Sequence, residues 1–326
     1  MPADAESPKK SALYTLTLTE LQANRLRELL VGRPDQWEPY AVDYAAFAYK
    51  GDRVNIVCYK AGKLVIQGKR TEEFVTNILE PQVTGQALLG YDEVNHPDWF
   101  EPHAGLDESG KGDLFGCVVS ACVVAPSAEA VRAWVKAGVR DSKAIGSDEV
   151  VFKLESLIRQ TPGAAVRVLR FDMPKYNELY QKFGANLNRL LAWMHARTLE
   201  AALAQRPVPW GLLDQFTAQP LVQRQLKEVP LGFVLHMRTK AESDPVVAAA
   251  SIVARAEFVR GLQALGDAAG EPLLKGASGA VKAQAKRLVA KLGAERLGDF
   301  AKLHFRTAYE ALGLPVPEKK IWVRRA

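Results

Sequence analysis

Residues 105–116, GLDESGKGDLFG, place two adjacent acids, Asp107 and Glu108, just before a glycine-flanked lysine, Gly110-Lys111-Gly112. The segment nearly spells the phosphate-binding loop G-x-x-x-x-G-K-[ST], with Gly105, Gly110 and Lys111 in register. Three features exclude that chemistry. Gly112 stands where Ser or Thr must ligate Mg²⁺. The residues that follow, DLFGCVVSACVVA, are dense in β-branched side chains and predict a strand rather than the helix whose N-terminus would hold phosphate. Two carboxylates inside a phosphate cradle would also repel its ligand. The same acids suit a metal ion better. Successive side chains of a strand point to opposite faces, so both acids can meet only if the backbone bends there. The glycines of SGKG allow such a bend and let another backbone approach closely. A solvated acidic turn is the alternative this stretch leaves open.

Further acids favour the metal. Asp214 closes the apolar run GLLDQF, where burial without a partner is costly. Glu242 and Asp244 lie in RTKAESDPVVAAASIVAR, between a strand and a helix, and Asp244-Pro245 is also a good N-cap and first-turn pair. Three or four carboxylates ending neighbouring strands would repel unless divalent cations neutralised them. Oxygen ligands without nearby His or Cys point to Mg²⁺ or Mn²⁺ rather than zinc. Cys58, Cys117 and Cys122 are the only cysteines, and they lack the C-x-x-C spacing of a zinc or disulfide framework.

The elements that must position these acids are legible in outline. SALYTLTLT alternates like a strand, ELQANRLRELL has helical spacing, and YAAFAYKGDRVNIVCYKAGKLVIQGK reads as three strands with tight turns. TEEFVTNILEP closes the unit as a helix with Thr71 as N-cap and Pro81 just past its end. Residues 11–82 thus predict a β-α-β-β-β-α unit with one sheet face under helices and the other free to bind. A turn-rich linker follows, with the domain boundary near residue 90, giving domains 1–90 and 91–326. In the second domain, HAGLDESG, LFGCVVSACVVA, AAVRVLRF, WGLLDQF and FVLHMRT predict strands. SDEVVFKLESLIRQT, NLNRLLAWMHARTLEAALAQ, PVVAAASIVARAEFVRGLQAL, AVKAQAKRLVAKLG and DFAKLHFRTAYEALG predict helices. This order implies an α+β or α/β fold, a mixed sheet with helices on its faces.

Composition narrows the partners. The chain has 326 residues, 48% hydrophobic and 25% charged, and carries a formal charge of +6. A basic balance favours polyanions such as nucleic acid. No run of about 18 uninterrupted apolar residues predicts a membrane span, and MPADAESPKK lacks the apolar core of a secretory signal, so a cytoplasmic location is expected. No obligate protein partner is evident.

In order along the chain, GLDESGKGDLFG, DSKAI, LLDQF, TKAESDPVVAAASIVAR, KGAS and AKLHF resemble the signature segments of bacterial ribonuclease HIII, within the type 2 ribonucleases H. YKAGKLVIQGK is similar to that family's TATA-binding-protein-like N-terminal domain. The resemblance implies a ribonuclease H-like fold and hydrolysis of the RNA strand of RNA/DNA hybrids, leaving 3′-hydroxyl and 5′-phosphate ends. It implies two ions, Mg²⁺ or Mn²⁺, held by Asp107, Glu108, Asp214 and Glu242, with Asp107 bridging both and Asp244 as the other candidate for the fourth acid. Gly110, Lys111 and Gly112 then become the turn that meets the 2′-hydroxyl and a phosphate. Lys143, in DSK, becomes a phosphate contact or a solvated lysine. Tyr59, Lys60, Lys63 and Lys69 become backbone grips of the first domain or plain surface. AKLHF, with His304, reads as helix packing. The alternatives are ribonuclease HII-like incision at single ribonucleotides in DNA and a non-catalytic hybrid-binding protein. Ribonuclease HII is similar in the catalytic part but commonly has Arg at the position of Lys111.

Overall fold

The computed structural model describes residues 13–85 and 92–316; the polar start and the Arg324-Arg325 tail lie outside the described residues. The chain divides into two compact units, residues 1–97 and 98–326.

The first unit is a five-stranded antiparallel sheet of order β1-β5-β4-β3-β2. Its strands are β1 (Leu13–Thr17), β2 (Glu38–Pro39), β3 (Ala45–Gly51), β4 (Val54–Tyr59) and β5 (Lys63–Gln67). The helix α1 (Glu20–Val31) starts at a capping box in which Thr19 and Gln22 satisfy each other's backbone N–H groups. Strand alternation sorts the sheet's two faces. Val54, Ile56, Cys58, Leu64 and Ile66 are buried with Leu26, Leu30, Phe74 and Leu79, while Lys63 and Gln67 are exposed on the opposite face. The short β2, paired with Tyr49 and Lys50, is an addition to the expected β-α-β-β-β-α order.

The closing helix departs from expectation at both ends. Arg70, not Thr71, is the N-cap of α2 (Thr71–Phe74); the Thr71 hydroxyl donates to the Gly68 carbonyl instead. Pro81 does not stop the chain's coiling, because α2 continues as wider π-type turns over Val75–Thr84. They end where Gly85, at φ +68°, donates its N–H to Glu80. A single turn, α3 (Asp92–Asn95), follows.

The second unit contains a mixed sheet of order β10-β9-β6-β7-β8. It comprises β6 (Ala104–Ser109), β7 (Val119–Val124), β8 (Ala165–Leu169), β9 (Trp210–Asp214) and β10 (Val234–Arg238). β6, β9 and β10 run parallel, whereas β6, β7 and β8 pair antiparallel. Its helices are α4 (Ala128–Ala137), α5 (Asp148–Gln160), α6 (Met173–Lys182), α7 (Leu187–Gln205), α8 (Pro245–Ala269), α9 (Gly279–Leu292) and α10 (Arg306–Leu312). The fold class is therefore the expected one, a mixed sheet with helices on both faces.

Strand alternation decides which helix meets which residue. Val119, Ala121 and Val123 pack with Val246, Ala249 and Val253 of α8. Leu106, Cys122 and Val124 pack with Ala192, Ala196 and Leu199 of α7. At Gly105 the α8 backbone comes so close that a Cβ would stand 2.3 Å from the Val246 carbonyl carbon. Two helices of the second unit escape the sequence reading. α4 is announced by its cap Ser127 and left-handed Gly138, and α6 by its cap Asp172 before Pro174. The helix expected from Asp299 is shorter than read: Lys302–Phe305 are non-helical, and α10 begins only at Arg306. Phe115 instead bridges Ala301, and the Lys302 N–H donates to Leu114.

Candidate active site

Asp107 lies near the end of β6, next to β9. Leu106 pairs with Leu213, so one step further along the parallel register Asp107 stands beside Asp214, the last residue of β9. Paired residues of neighbouring strands share a face, which brings these two acids to one side of the sheet. Glu242 arrives from the single 3-10 turn Ala241–Ser243 between β10 and α8. That turn is tied to the third acid, for the Ala241 N–H donates to Asp214 Oδ1 at 3.1 Å. Lys240, just before it, has a left-handed backbone at φ +60°.

Lys143 supplies the positive charge these acids lack. It sits in the turn Ser142–Ala144, capped by Asp141, and its ammonium feels Asp141, Asp107, Glu242 and Asp214. Burial works against the charge, yet those four carboxylates hold the ammonium above the ordinary lysine value. The turn is anchored to α8: Arg255 donates to the Ser142 and Ile145 carbonyls and to Asp148, and Ser142 Oγ meets Ser251 Oγ at 2.6 Å. Ser251 also acts on Asp107, favouring its ionised form. Asp107 is only 7% exposed, and burial first, then the Glu108 charge, push its pKa up to about 8.

Glu108 goes the other way. β6 keeps its register through Ser109, so the backbone does not bend between the two acids as expected, and they leave the strand on opposite faces. The bend comes at Gly110, φ +85°, where a Cβ would stand 2.6 Å from the Phe258 ring and 2.7 Å from the Cys117 carbonyl oxygen. On the α7 side, buried His195 Nε2 meets Glu108 Oε2 at 3.0 Å, and Lys111 Nζ lies 3.6 Å from Oε1. Burial pushes Glu108 up, but the His195 hydrogen bond and charge, helped by Lys111, outweigh it and hold the carboxyl below its ordinary value. His195 Nδ1 meets Ser120 Oγ at 3.0 Å, and Ser120 in turn meets Thr198, which donates to the Met194 carbonyl. The sequence reading missed His195; its one signal is a lone histidine in the apolar run LLAWMHA. Lys111 stands over the Phe216 ring at 5.5 Å, and Gly112 is open to solvent.

Asp244 is fully committed elsewhere. It accepts the N–H groups of Val246 and Val247 at 2.7 and 3.1 Å, capping α8, and both its oxygens lie 3.1 Å from His103 Nε2. His103 stacks on Trp210 at 4.1 Å. Glu242 Oε2 is buried with no hydrogen-bond partner among the described residues. A buried, unpartnered carboxylate oxygen beside two further acids fits a divalent cation. No three acidic, His or Cys side chains among the described residues close on a metal by themselves.

The first-unit candidates lie apart from these acids in the chain. Tyr59 is half-buried and Lys63 exposed on the sheet face opposite the core; Lys60 and Lys69 are exposed in the turns flanking β5. Lys50, which the sequence reading did not single out, shares that face and stands 5.8 Å over the Tyr40 ring. Among the described residues, no helix is long and apolar enough to cross a membrane.

This sheet, with acids ending β6 and β9 and a third entering before α8, is matched over residues 104–308 by the family model described as Ribonuclease HII, which places the second unit among the type 2 ribonucleases H. The full chain is more specific. It is 37% identical to a ribonuclease HIII of Protochlamydia amoebophila over 83% of its own length and 87% of the relative's. It is 36% identical to one of Chlamydia pneumoniae over 90% and 96%. A crystal structure of Bst-RNase HIII in complex with Mn²⁺ matches 92% of this chain and 98% of that one, with TM-score 0.62 and 28% identity. The chain belongs to the ribonuclease HIII family of metal-dependent endoribonucleases.

Proposed function

We propose that the protein cleaves the RNA strand of RNA/DNA hybrids, leaving 3′-hydroxyl and 5′-phosphate ends, and that Asp107, Asp214 and Glu242 on one face, with Glu108 reaching round from the other face one residue past the end of β9, hold two Mg²⁺ or Mn²⁺ ions for the reaction. The observation that carries this reading is the meeting of Asp107 and Asp214 at the adjacent ends of β6 and β9, with the Glu242 turn tied to Asp214 through the Ala241 N–H and Glu242 Oε2 left without a partner among the described residues. Divalent ions bound there supply an activated water and neutralise charge on the leaving oxygen.

The chain's own groups do the rest. Lys143 offsets the repulsion among the acids and offers its ammonium to a backbone phosphate. His195 holds Glu108 in one orientation, as outer hydrogen bonds do for metal-binding carboxylates. Asp244 serves as helix cap rather than ligand, so Glu242 takes the fourth place. The Gly110-Lys111-Gly112 turn presents main-chain groups where a ribose can approach, and the 2′-hydroxyl is the group that tells RNA from DNA. Tyr59, Lys60, Lys63 and Lys69 grip the hybrid's backbone, which positions it without reading bases.

The match to the Ribonuclease HII model favours one second reading, incision at a single ribonucleotide embedded in DNA. The test is cleavage of a long hybrid, a duplex with four ribonucleotides and a duplex with one, in Mg²⁺ and in Mn²⁺. Preferred cleavage of the single-ribonucleotide duplex would establish the second reading instead. Asp107→Asn is expected to abolish cleavage and keep hybrid binding; undiminished cleavage would refute the site.

A further inference from the structure

Two of the shared motifs, KGAS and AKLHF, contribute no acid and no exposed cation to the site described above. Their place in the fold gives them a common task. Between the glycine turn and β7 the chain runs through Asp113–Gly116, and this stretch is stitched to both motifs. The Gly276 N–H donates to Asp113 Oδ1 at 2.5 Å, and the Leu114 N–H donates to the Gly276 carbonyl at 2.8 Å. From the other side the Gly116 N–H donates to Phe300 at 3.0 Å.

Lys302 is the centre of this platform. Its side chain is completely buried, and its ammonium donates to the main-chain carbonyls of Asp113, at 2.7 Å, and Gly116. The rings of Tyr176 and Phe305 face it at 5.7 and 5.6 Å. Its hydrogen bonds go to main-chain carbonyls, and the Asp113 charge favours the ammonium without a hydrogen bond to it. A buried ammonium with no hydrogen-bonded carboxylate is expensive, and an apolar side chain of similar length would fill the space at lower cost. What the ammonium adds is directional hydrogen bonding to two carbonyls on either side of the Leu114-Phe115 step. The connection to the glycine turn is short, because the Asp113 N–H donates to the Gly110 carbonyl at 3.3 Å.

We propose that Lys302 is a positioning residue for the Gly110-Lys111-Gly112 turn, clamping the Asp113 and Gly116 carbonyls so that the turn's main chain is set against the substrate's ribose. This rests on the role given to that turn under the proposed function. Lys302 touches no reacting group; its effect passes through the backbone of Asp113. The clamp therefore governs how well the hybrid is bound and distinguished from DNA, not the metal-dependent step.

The test uses the full-length protein with Lys302→Met, and with Asp113→Ala as a milder lesion that removes the Gly276 contact from a half-buried side chain. KM and kcat are measured on the hybrid, with hybrid and DNA-duplex affinities, Mn²⁺ binding and thermal midpoint alongside. Lys302→Met is expected to raise KM about tenfold, the scale of a displaced binding group. It should lower the hybrid-over-DNA preference in step and leave kcat and Mn²⁺ affinity within about threefold. Asp113→Ala is expected to shift KM in the same direction by less. A lower thermal midpoint with unshifted KM would overturn the proposal, as would a loss of kcat and Mn²⁺ affinity at constant KM. Should Lys302→Met fail to fold, Asp113→Ala decides, and an unshifted KM there overturns it. Wild-type protein that fails to cleave the hybrid would instead overturn the proposed function, so the two failures are distinguishable.

Discussion

Replacing Asp107 by Asn is expected to stabilise the metal-free protein even as it removes the chemistry, and the gain should follow pH. Burial and the neighbouring Glu108 charge raise the Asp107 pKa from 3.8 to about 8, and the Glu108 N–H, Lys143 and Ser251 recover only part of the cost. In the unfolded chain the carboxyl ionises near pH 4, whereas in the folded protein it keeps its proton to about pH 8. Between those values the folded state binds the extra proton, so stability falls as pH rises, and it levels off above the folded pKa. At about 1.36 kcal/mol per pH unit the ceiling is roughly 6 kcal/mol. Glu108 shares the repulsion, so about half, ~2–3 kcal/mol, belongs to Asp107 alone; for a domain of this size that is roughly 5–10 °C in thermal midpoint. Asn keeps an acceptor for the Glu108 N–H, which meets Oδ1 at 2.8 Å, and never ionises. Scanning calorimetry in EDTA from pH 5 to 9 should show the gap between variant and wild type widening to pH 8 and then holding. Saturating Mn²⁺ should reverse the order, since binding energy stabilises only the protein that binds. A gap independent of pH, or a variant less stable than wild type at pH 8 without metal, would refute the reasoning.

Glu242 and Asp244 should separate cleanly by what they lose. Glu242→Gln is expected to cut cleavage at least 100-fold with little change in thermal midpoint, because Oε2 has no partner to forfeit. Asp244→Asn should cost about 2–4 kcal/mol of stability and keep measurable cleavage, because Asn still caps α8 but breaks the fully buried pair with His103; the opposite pattern would make Asp244 the fourth ligand. His195→Ala should reduce cleavage and Mn²⁺ affinity about 10- to 100-fold by freeing the Glu108 carboxylate, with partial recovery in His195→Gln. Mn²⁺ titration of the uncleaving protein checks this, and unaltered affinity in His195→Ala would contradict it.

Much of the fold was readable because its signals are local. All five strands of the second sheet carry apolar runs bounded by turn residues, and α8 opens with Asp244-Pro245, a cap whose meaning does not depend on the rest of the chain. Where reading failed, a distant contact had overridden a local pattern. Ala301 to Leu312 continues a helical spacing, yet residues 302–305 are held out of the helix. The Lys302 N–H goes to Leu114, and Asn177 ties the Ala301 carbonyl and the Leu303 N–H. Pro81 read as a stop because an α-helix cannot accommodate its missing N–H, but the wider turns over Val75–Thr84 carry it through.

The site shows the same division more sharply. An acid at the end of an apolar strand announces itself by its type, which is why Asp107, Glu108 and Asp214 could be picked out before any geometry was known. Their partners differ in kind. His195 reaches Glu108 across 87 residues only because α7 packs on the β6–β7 face, and Lys302 reaches Asp113 across 189. In the second case the acceptors are main-chain carbonyls, which every residue owns, so the clamped stretch carries no side-chain signature of being clamped. A resemblance can mark AKLHF as shared without saying what it does. The structure supplies the reason: an ammonium whose partners are peptide groups can act on the glycine turn while neither sequence betrays the other.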